Sequence, residues 1–236
     1  MNKVKLHTLW LLGMLFLMTA CGDDDYYYPS VKLEFVTVKA GADGLIQSLL
    51  PDKGELLTVA KDRTGSTISP NSARRVISNY EVNPEDATAV IYSLQSGVTP
   101  EPKGADDPAF EGGLKYDPVD VTSIWLGRDY LNMILNVKIN INSGKQHVFG
   151  MIEESVEAEG DETVVTLSLF HDANGDEENY NRRAYISVPL TKYVDEENPH
   201  QTIRIKFKYH TTDKSGVVVE SSKYCDPGFE YVPGVN

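Results

Sequence analysis

The 236-residue chain, 41% apolar and 9% aromatic, is long enough for one large or two small globular domains with a buried core. Its formal charge of −13 becomes −15 once the first 20 residues are removed with Lys3 and Lys5. That charge excludes a nucleic-acid partner, because binding phosphate requires a basic surface. It also excludes attachment to anionic lipid by charge alone, so any membrane anchor has to be covalent.

Residues 1–20 read as a secretory signal peptide. Lys3 and Lys5 precede the apolar run Leu9 to Met18, and Thr19-Ala20 supplies the small residues that a signal peptidase requires. Ten apolar residues rise only about 15 Å as a helix, too little for a lasting span. The stretch Met18-Thr19-Ala20-Cys21 looks like a bacterial lipobox, with Met in place of the usual Leu at its first position. Cys21 is then the lipid-modified first residue of the mature protein. Acyl chains that contribute about 0.8 kcal/mol per buried methylene would hold even an acidic protein on a membrane.

Residues 21–30 read as a tether. Asp23, Asp24 and Asp25 resemble the export signal that sends lipoproteins of Bacteroidetes to the outer face of the outer membrane; the alternative is a solvated acidic spacer. Tyr26 to Tyr28 either extend that tether to Pro29 or pack against the barrel entrance or the membrane interface.

From residue 31 nearly every periodic segment has period two, the pattern of half-buried strands. In "VKLEFVTVKA" the apolar set Val31, Leu33, Phe35 gives way to Val36, Val38, Ala40, which predicts a bulge between Phe35 and Val36. Further strands are expected at 55–60, 73–82 and 88–94. Four or five short strands in residues 31–99 fit an OB-like β-barrel. Residues 100–113 carry Pro100, Pro102, Pro108, Gly104, Gly112 and Gly113 and read as a linker.

Residues 114–236 contain six or seven strand signals and no helical stripe, so a β-sandwich is expected. The chain as a whole is therefore all-β, an N-terminal OB-like barrel followed by a C-terminal β-sandwich. In "TIRIKFKYH" one face carries Arg204, Lys206, Lys208 and His210, expected as a solvated outer face.

Chemistry-bearing motifs are sparse. There is no nucleophile elbow, no phosphate-binding glycine loop and no zinc helix, so neither a catalytic residue nor a cofactor is assigned. His147, His171, His200 and His210 lie on separate segments and read as isolated side chains. In "HDANGDEENYN" the alternation of Asp172, Asn174, Asp176 and Glu178 resembles the opening of a calcium loop. The match then fails, with Glu177 at the glycine position and Arg183 at the closing glutamate. A hairpin turning at Asn174-Gly175 is the stronger reading. With Cys21 lipidated, Cys225 has no intramolecular partner and is expected as a free, partly buried thiol.

The segments "VTSIWLGRDYLNMILNV" and "LSLFHDANGDEENYNRRAYISVPL" resemble the second domain of the NigD-like lipoproteins of Bacteroidetes. "GELLTVAKDRTGSTISP" with "RRVISNYEV" is similar to the first. The resemblance covers the mature chain and implies the same barrel-then-sandwich order. It implies an association with bacteriocin gene clusters and carries over no catalytic residues. The leading expectation is a non-enzymatic outer-membrane, surface-exposed lipoprotein that binds a protein, peptide or glycan. The alternatives are a bacteriocin immunity-like protector and an envelope hydrolase whose site is assembled by folding.

Overall fold

The computed structural model describes residues 31–160, 162–176 and 180–234. Thirteen strands form: β1 Lys32–Ala40, β2 Ile46–Pro51, β3 Leu57–Asp62, β4 Ala73–Asn83, β5 Thr88–Ser96, β6 Pro102–Gly104, β7 Asp120–Gly127, β8 Tyr130–Ile139, β9 Val148–Glu159, β10 Glu162–Asp172, β11 Tyr180–Pro189, β12 Ile203–Thr212 and β13 Val218–Tyr231. Among the described residues no helix is long and apolar enough to cross a membrane.

The first five strands close into a barrel in the order β1-β2-β3-β5-β4. Its core gathers Val36, Val38, Leu49, Val76, Tyr80 and Ile91. The eight remaining strands form a sandwich. One sheet runs β13-β12-β10-β9-β6, and the other runs β11-β8-β7. Alternate residues Leu131, Met133, Leu135 and Val137 of β8 meet Leu167, Leu169, Ile205 and Phe207 of the larger sheet in a continuous apolar core. The expected all-β order of barrel and sandwich is what the chain adopts.

Three sequence expectations change. No bulge separates Phe35 from Val36, because β1 pairs with β4 in unbroken register there, Phe35 opposite Ile77 and Val36 opposite Val76. Both residues are buried, at 4% and 0% exposure. Val36 points into the barrel, and Phe35 points out against Trp125 and Tyr185 of the sandwich. The mixed periodicity thus records a strand covered on both faces.

The segment 100–113 is not a linker. Pro102–Gly104 pairs parallel with Met151–Glu153 of β9 as an edge strand, where a proline that starts the strand forfeits no ladder donor. A 3-10 turn, Pro108–Phe110, follows, capped by the Ala109 amide donating to Asp107 Oδ1 at 2.8 Å. It buries Phe110 against Phe170, 5.0 Å between ring centroids. Finally, Asn174-Gly175 does not turn a hairpin: β10 pairs with β9 and β12 whereas β11 pairs with β8, so the turn carries the chain from one sheet to the other, and the hairpin partner of β8 is β7, joined through Arg128 with φ of 48°.

The chain passes from barrel to sandwich through residues 97–99 without slack. Val98 donates to Tyr185 O and accepts from Ser187 N, each at 2.9 Å, and so bridges in parallel to β11. Gly97 permits this approach, since a Cβ there would stand 3.1 Å from the Tyr185 carbonyl oxygen and 3.2 Å from the Ile77 side chain. The barrel consequently docks on the outer face of the three-stranded sheet.

Candidate functional site

Alternation along β8 and β11 decides what that docking face offers. Residues 131, 133, 135 and 137 fill the core, so Tyr130, Asn132 and Ile134 point the other way. Tyr185 and Ser187, opposite Ile134 and Asn132 in the ladder, do the same, as does Trp125, opposite Asn132 on the other side. The barrel brings Phe35 from β1 and Arg75 and Ile77 from β4 onto these groups.

The two surfaces do not close fully. They leave a cleft of about 280 Å³ lined by Leu33, Phe35, Ile77, Trp125, Leu126, Ile134 and Tyr185, with Glu34, Asp52, Lys53 and Arg183 around it. Phe35 meets Trp125 edge to face, 5.7 Å between centroids and 64° between planes, and meets Tyr185 at 6.2 Å and 67°. Such pairs hold aromatic rings in fixed orientations. Leu33 at the mouth remains 61% exposed.

Beneath the cleft the domains share a buried polar cluster. Arg75, 6% exposed, donates through Nε to Ser187 Oγ at 3.0 Å and through Nη2 to Asn132 Oδ1 at 3.1 Å and Asp52 Oδ2 at 2.6 Å. Asn132 Nδ2 donates to the same Asp52 oxygen at 2.7 Å, and Ser187 donates to Asn132 at 2.6 Å. The guanidinium also lies over the Tyr130 ring, 4.2 Å from its centroid. Every side chain of the cluster gains a partner, and Asp52 Oδ1, which accepts no hydrogen bond, is met by the Arg75 guanidinium as an ion pair, which limits the penalty for burying these charges. Gly127 is required here, because any side chain would occupy the space filled by Asp52 and Asn132.

This cluster sets the charge that a ligand would meet. Asp52 is spent on Arg75. Glu34 accepts the Tyr80 hydroxyl at 2.8 Å; burial first, then this carboxylate, pushes the Tyr80 phenol upward, so it remains a donor. Lys53 and Arg183 have no ionic partner among the described residues. The cleft thus presents apolar walls, the carboxylate of Glu34, and two cations, Lys53 and Arg183, that have no ionic partner among the described residues.

A second cluster corrects the expectation of isolated histidines. The β9–β10 hairpin, whose turn joins Glu159 to Glu162, sets Phe149 opposite His171, and this carries His147 to His171. Their Nδ1 and Nε2 atoms lie 2.9 Å apart. His171 Nδ1 lies 2.9 Å from the Asp117 carbonyl, which can only accept, so this nitrogen holds the proton and Nε2 accepts from His147. His147 Nε2 in turn faces Asp176 Oδ2 at 3.5 Å. Burial, then the nearby His147, lowers the His171 pKa. Hydrogen bonds from Ser143 and the Asn140 amide hold Asp176 below the usual carboxylate range. A cavity of about 210 Å³ adjoins the pair, with Thr212 the hydroxyl side chain on its wall. The hairpin turn between residues 159 and 162 was the sequence signal that could have located the pair.

The calcium candidates part company. Asp172 Oδ1 accepts the Asn174 amide at 2.7 Å, Asn174 and Gly175 turn the chain with φ of 53° and 62°, and Asp176 faces His147. Glu178 lies outside the described residues, and among those described no group of three or more His, Cys, Asp or Glu could hold a metal ion. Cys21, Asp23, Asp24, Asp25 and Tyr26 to Tyr28 also lie outside the described residues. Cys225 is free, donates weakly to Phe207 O at 3.5 Å, and has its thiol pKa raised by burial, so it is a poor nucleophile. The His210 ring lies tilted against Tyr116, 4.6 Å between centroids and 33° between planes. The β12 cations, expected as a solvated face, are also neutralised: Arg204 by Glu162 at 2.8 Å, Lys208 by Glu154 at 2.7 Å and Lys206 by Glu159 at 4.0 Å.

Comparison with known proteins bears on both domains. Residues 35–96 match the model of the NigD-like N-terminal OB domain, and residues 103–220 match that of the NigD-like C-terminal β-sandwich domain. The solved structure of a NigD-like immunity protein from Bacteroides caccae is 70% identical, covering 88% of this chain and all of that one, with a TM-score of 0.79. A candidate toxin-related protein of Parabacteroides distasonis shares the fold at 17% identity and a TM-score of 0.64, covering 84% of this chain and 96% of that one. A candidate lipoprotein of Bacteroides fragilis does so at 10% identity and 0.56, covering 82% and 96%. No curated protein matches the chain.

Proposed function

Because this chain belongs to the NigD-like family, we propose that it is a cell-envelope lipoprotein, anchored through Cys21 at the outer membrane and facing outward, that binds a partner without transforming it. The observation that carries this reading is the aromatic cleft at the barrel–sandwich junction. Its walls are pre-oriented by edge-to-face contacts, its floor is held by the Arg75 cluster, and its mouth exposes Leu33 beside unpaired Lys53 and Arg183. Apolar concavities with a few fixed polar groups are the usual form of a binding site, and rigid aromatic anchors dominate interface energetics.

Capture of envelope components and array-bound peptides or glycans by the purified protein tests the reading, with Trp125→Ala as control. Trp125-dependent capture supports it. A protein that captures nothing, or captures equally well without the Trp125 ring, overturns it.

The Bacteroides caccae relative's description as an immunity protein favours a second, more specific reading, in which the bound partner is a bacteriocin and binding protects the cell. Deletion of the gene should then sensitise the host to toxins of related strains; unchanged sensitivity removes this reading and leaves the general one standing.

A further inference from the structure

Strand β11 has a neighbour, β8, on one side only. On the other side its sole recorded contact is the bridge to Val98, which occupies Tyr185 O and Ser187 N. Strand alternation turns the main-chain groups of Asn181 and Arg183 toward the same side. There the chain has already diverged, since Ser96 pairs with Val76 inside the barrel. A groove of about 460 Å³ opens in the wedge, and its lining includes Val98, Ile139, Phe149 and Tyr185 but no carboxylate.

The charges of this groove set it apart from the rest of the protein. Arg182 and Arg183 are both exposed, and among the described residues neither guanidinium forms an ion pair or hydrogen bond. The cations of β12, by contrast, each face a carboxylate of β10 or β9 in the same sheet. In a chain carrying a formal charge of −13, acids are abundant, so two adjacent unpaired arginines mark a place where the neutralising group comes from elsewhere. Arg183 and Tyr185 also line the aromatic cleft, so the same two side chains border groove and cleft.

We propose that the open edge of β11 receives an extended acidic peptide segment of a partner protein, added as a further strand with its carboxylates on the Arg182 face of the sheet and its apolar side chains on the opposite face, beside Arg183 and Tyr185 and toward the cleft. This rests on the binding role proposed above and specifies its partner. A peptide suits the site better than an acidic glycan, because the strand edge offers main-chain donors and acceptors at the spacing that only another main chain repeats. The guanidinium groups in turn present forks that match carboxylates.

Fluorescence anisotropy on the full-length protein in detergent provides the test, with a labelled peptide of alternating Glu and Tyr, about ten residues long, as probe. Saturable binding is expected, weakened about tenfold or more by Arg182→Glu with Arg183→Glu and reduced by added salt. The same peptide N-methylated at alternate residues, measured on the native protein, should lose binding, because its main chain can no longer pair; this arm is independent of how the double variant folds. Absence of saturable binding, undiminished binding to the double variant, or equal binding of the N-methylated peptide overturns the proposal. Oligogalacturonate binding in place of the peptide also overturns it and assigns the groove to an acidic glycan. If the acidic peptide fails while Trp125-dependent capture of envelope components persists, the strand-addition proposal falls and the cleft reading survives.

Discussion

The two buried polar clusters of this protein are built from opposite chemistry. At the barrel–sandwich junction, Arg75 keeps its charge at every accessible pH, and its donors reach Asp52, Asn132 and Ser187. In the second cluster, His147, His171 and Asp176 form a chain in which burial lowers the His171 pKa and hydrogen bonds hold Asp176 below the usual carboxylate range, and each cluster keeps buried atoms without a hydrogen-bond partner, Asp52 Oδ1 in the first and His147 Nε2 and Asp176 Oδ1 in the second. The difference teaches two ways of holding a fold: the domains are joined through a guanidinium shared by three side chains, whereas the segment around residues 140–147 is tied down by the Asp176 carboxylate and by the contact of His147 with the buried imidazole of His171.

The comparison breaks most severely at Arg75. Arg75→Ala leaves Asp52 without its cation and should destabilise the protein by about 3–5 kcal/mol, measured as a drop in denaturation midpoint. Adding Asp52→Asn should recover part of the loss, since the orphaned charge disappears. Gly97→Ala comes next. Its Cβ would press on the Tyr185 carbonyl and Ile77, and a cost of about 1–3 kcal/mol is expected, together with loss of amide protection at Val98 and Ser187.

His171 should give the protein's stability a pH dependence. The folded-state pKa of His171 lies below its ordinary value of 6.5, so the unfolded chain takes up the proton first. The stabilisation is complete above pH 6.5 and is lost as pH falls through the folded value. Melting temperature should therefore decline below pH 6.5, and His171→Gln should flatten that decline; an unchanged slope would show that His171 does not carry it. The smallest effect belongs to the surface. Lys206→Ala removes a 4.0 Å pair whose partners are 31% and 57% exposed and should change stability by less than about 1 kcal/mol.

The sequence made the fold legible where a residue's neighbours are local. Period-two alternation located most strands, turn chemistry at Asn174-Gly175 located a chain reversal but not the partner of either flanking strand, since β10 and β11 lie in different sheets, and the order of segments separated barrel from sandwich. Strand β2 escaped notice because Ile46, Leu49 and Pro51 are its buried positions, a spacing that is not a clean alternation. The candidate site was hardly legible at all. Trp125, Tyr185 and Arg183 sit in segments that were readable only as strands, and Phe35 looked like the edge of a bulge.

What the sequence by itself determined is the set of faces: which side chains on each strand share a side, and which turns reverse the chain. Only the tertiary structure decided which faces are covered twice and which edges stay open. Arg75 and Ser187 are 112 positions apart, and His147 meets His171 across a hairpin whose register shifts at Thr166 and Leu167. Periodicity reports the environment of one face of one strand. It is silent on what a distant domain lays against the other face, and in this protein the Arg75 cluster, the aromatic cleft and the open edge of β11 all arise where barrel and sandwich meet.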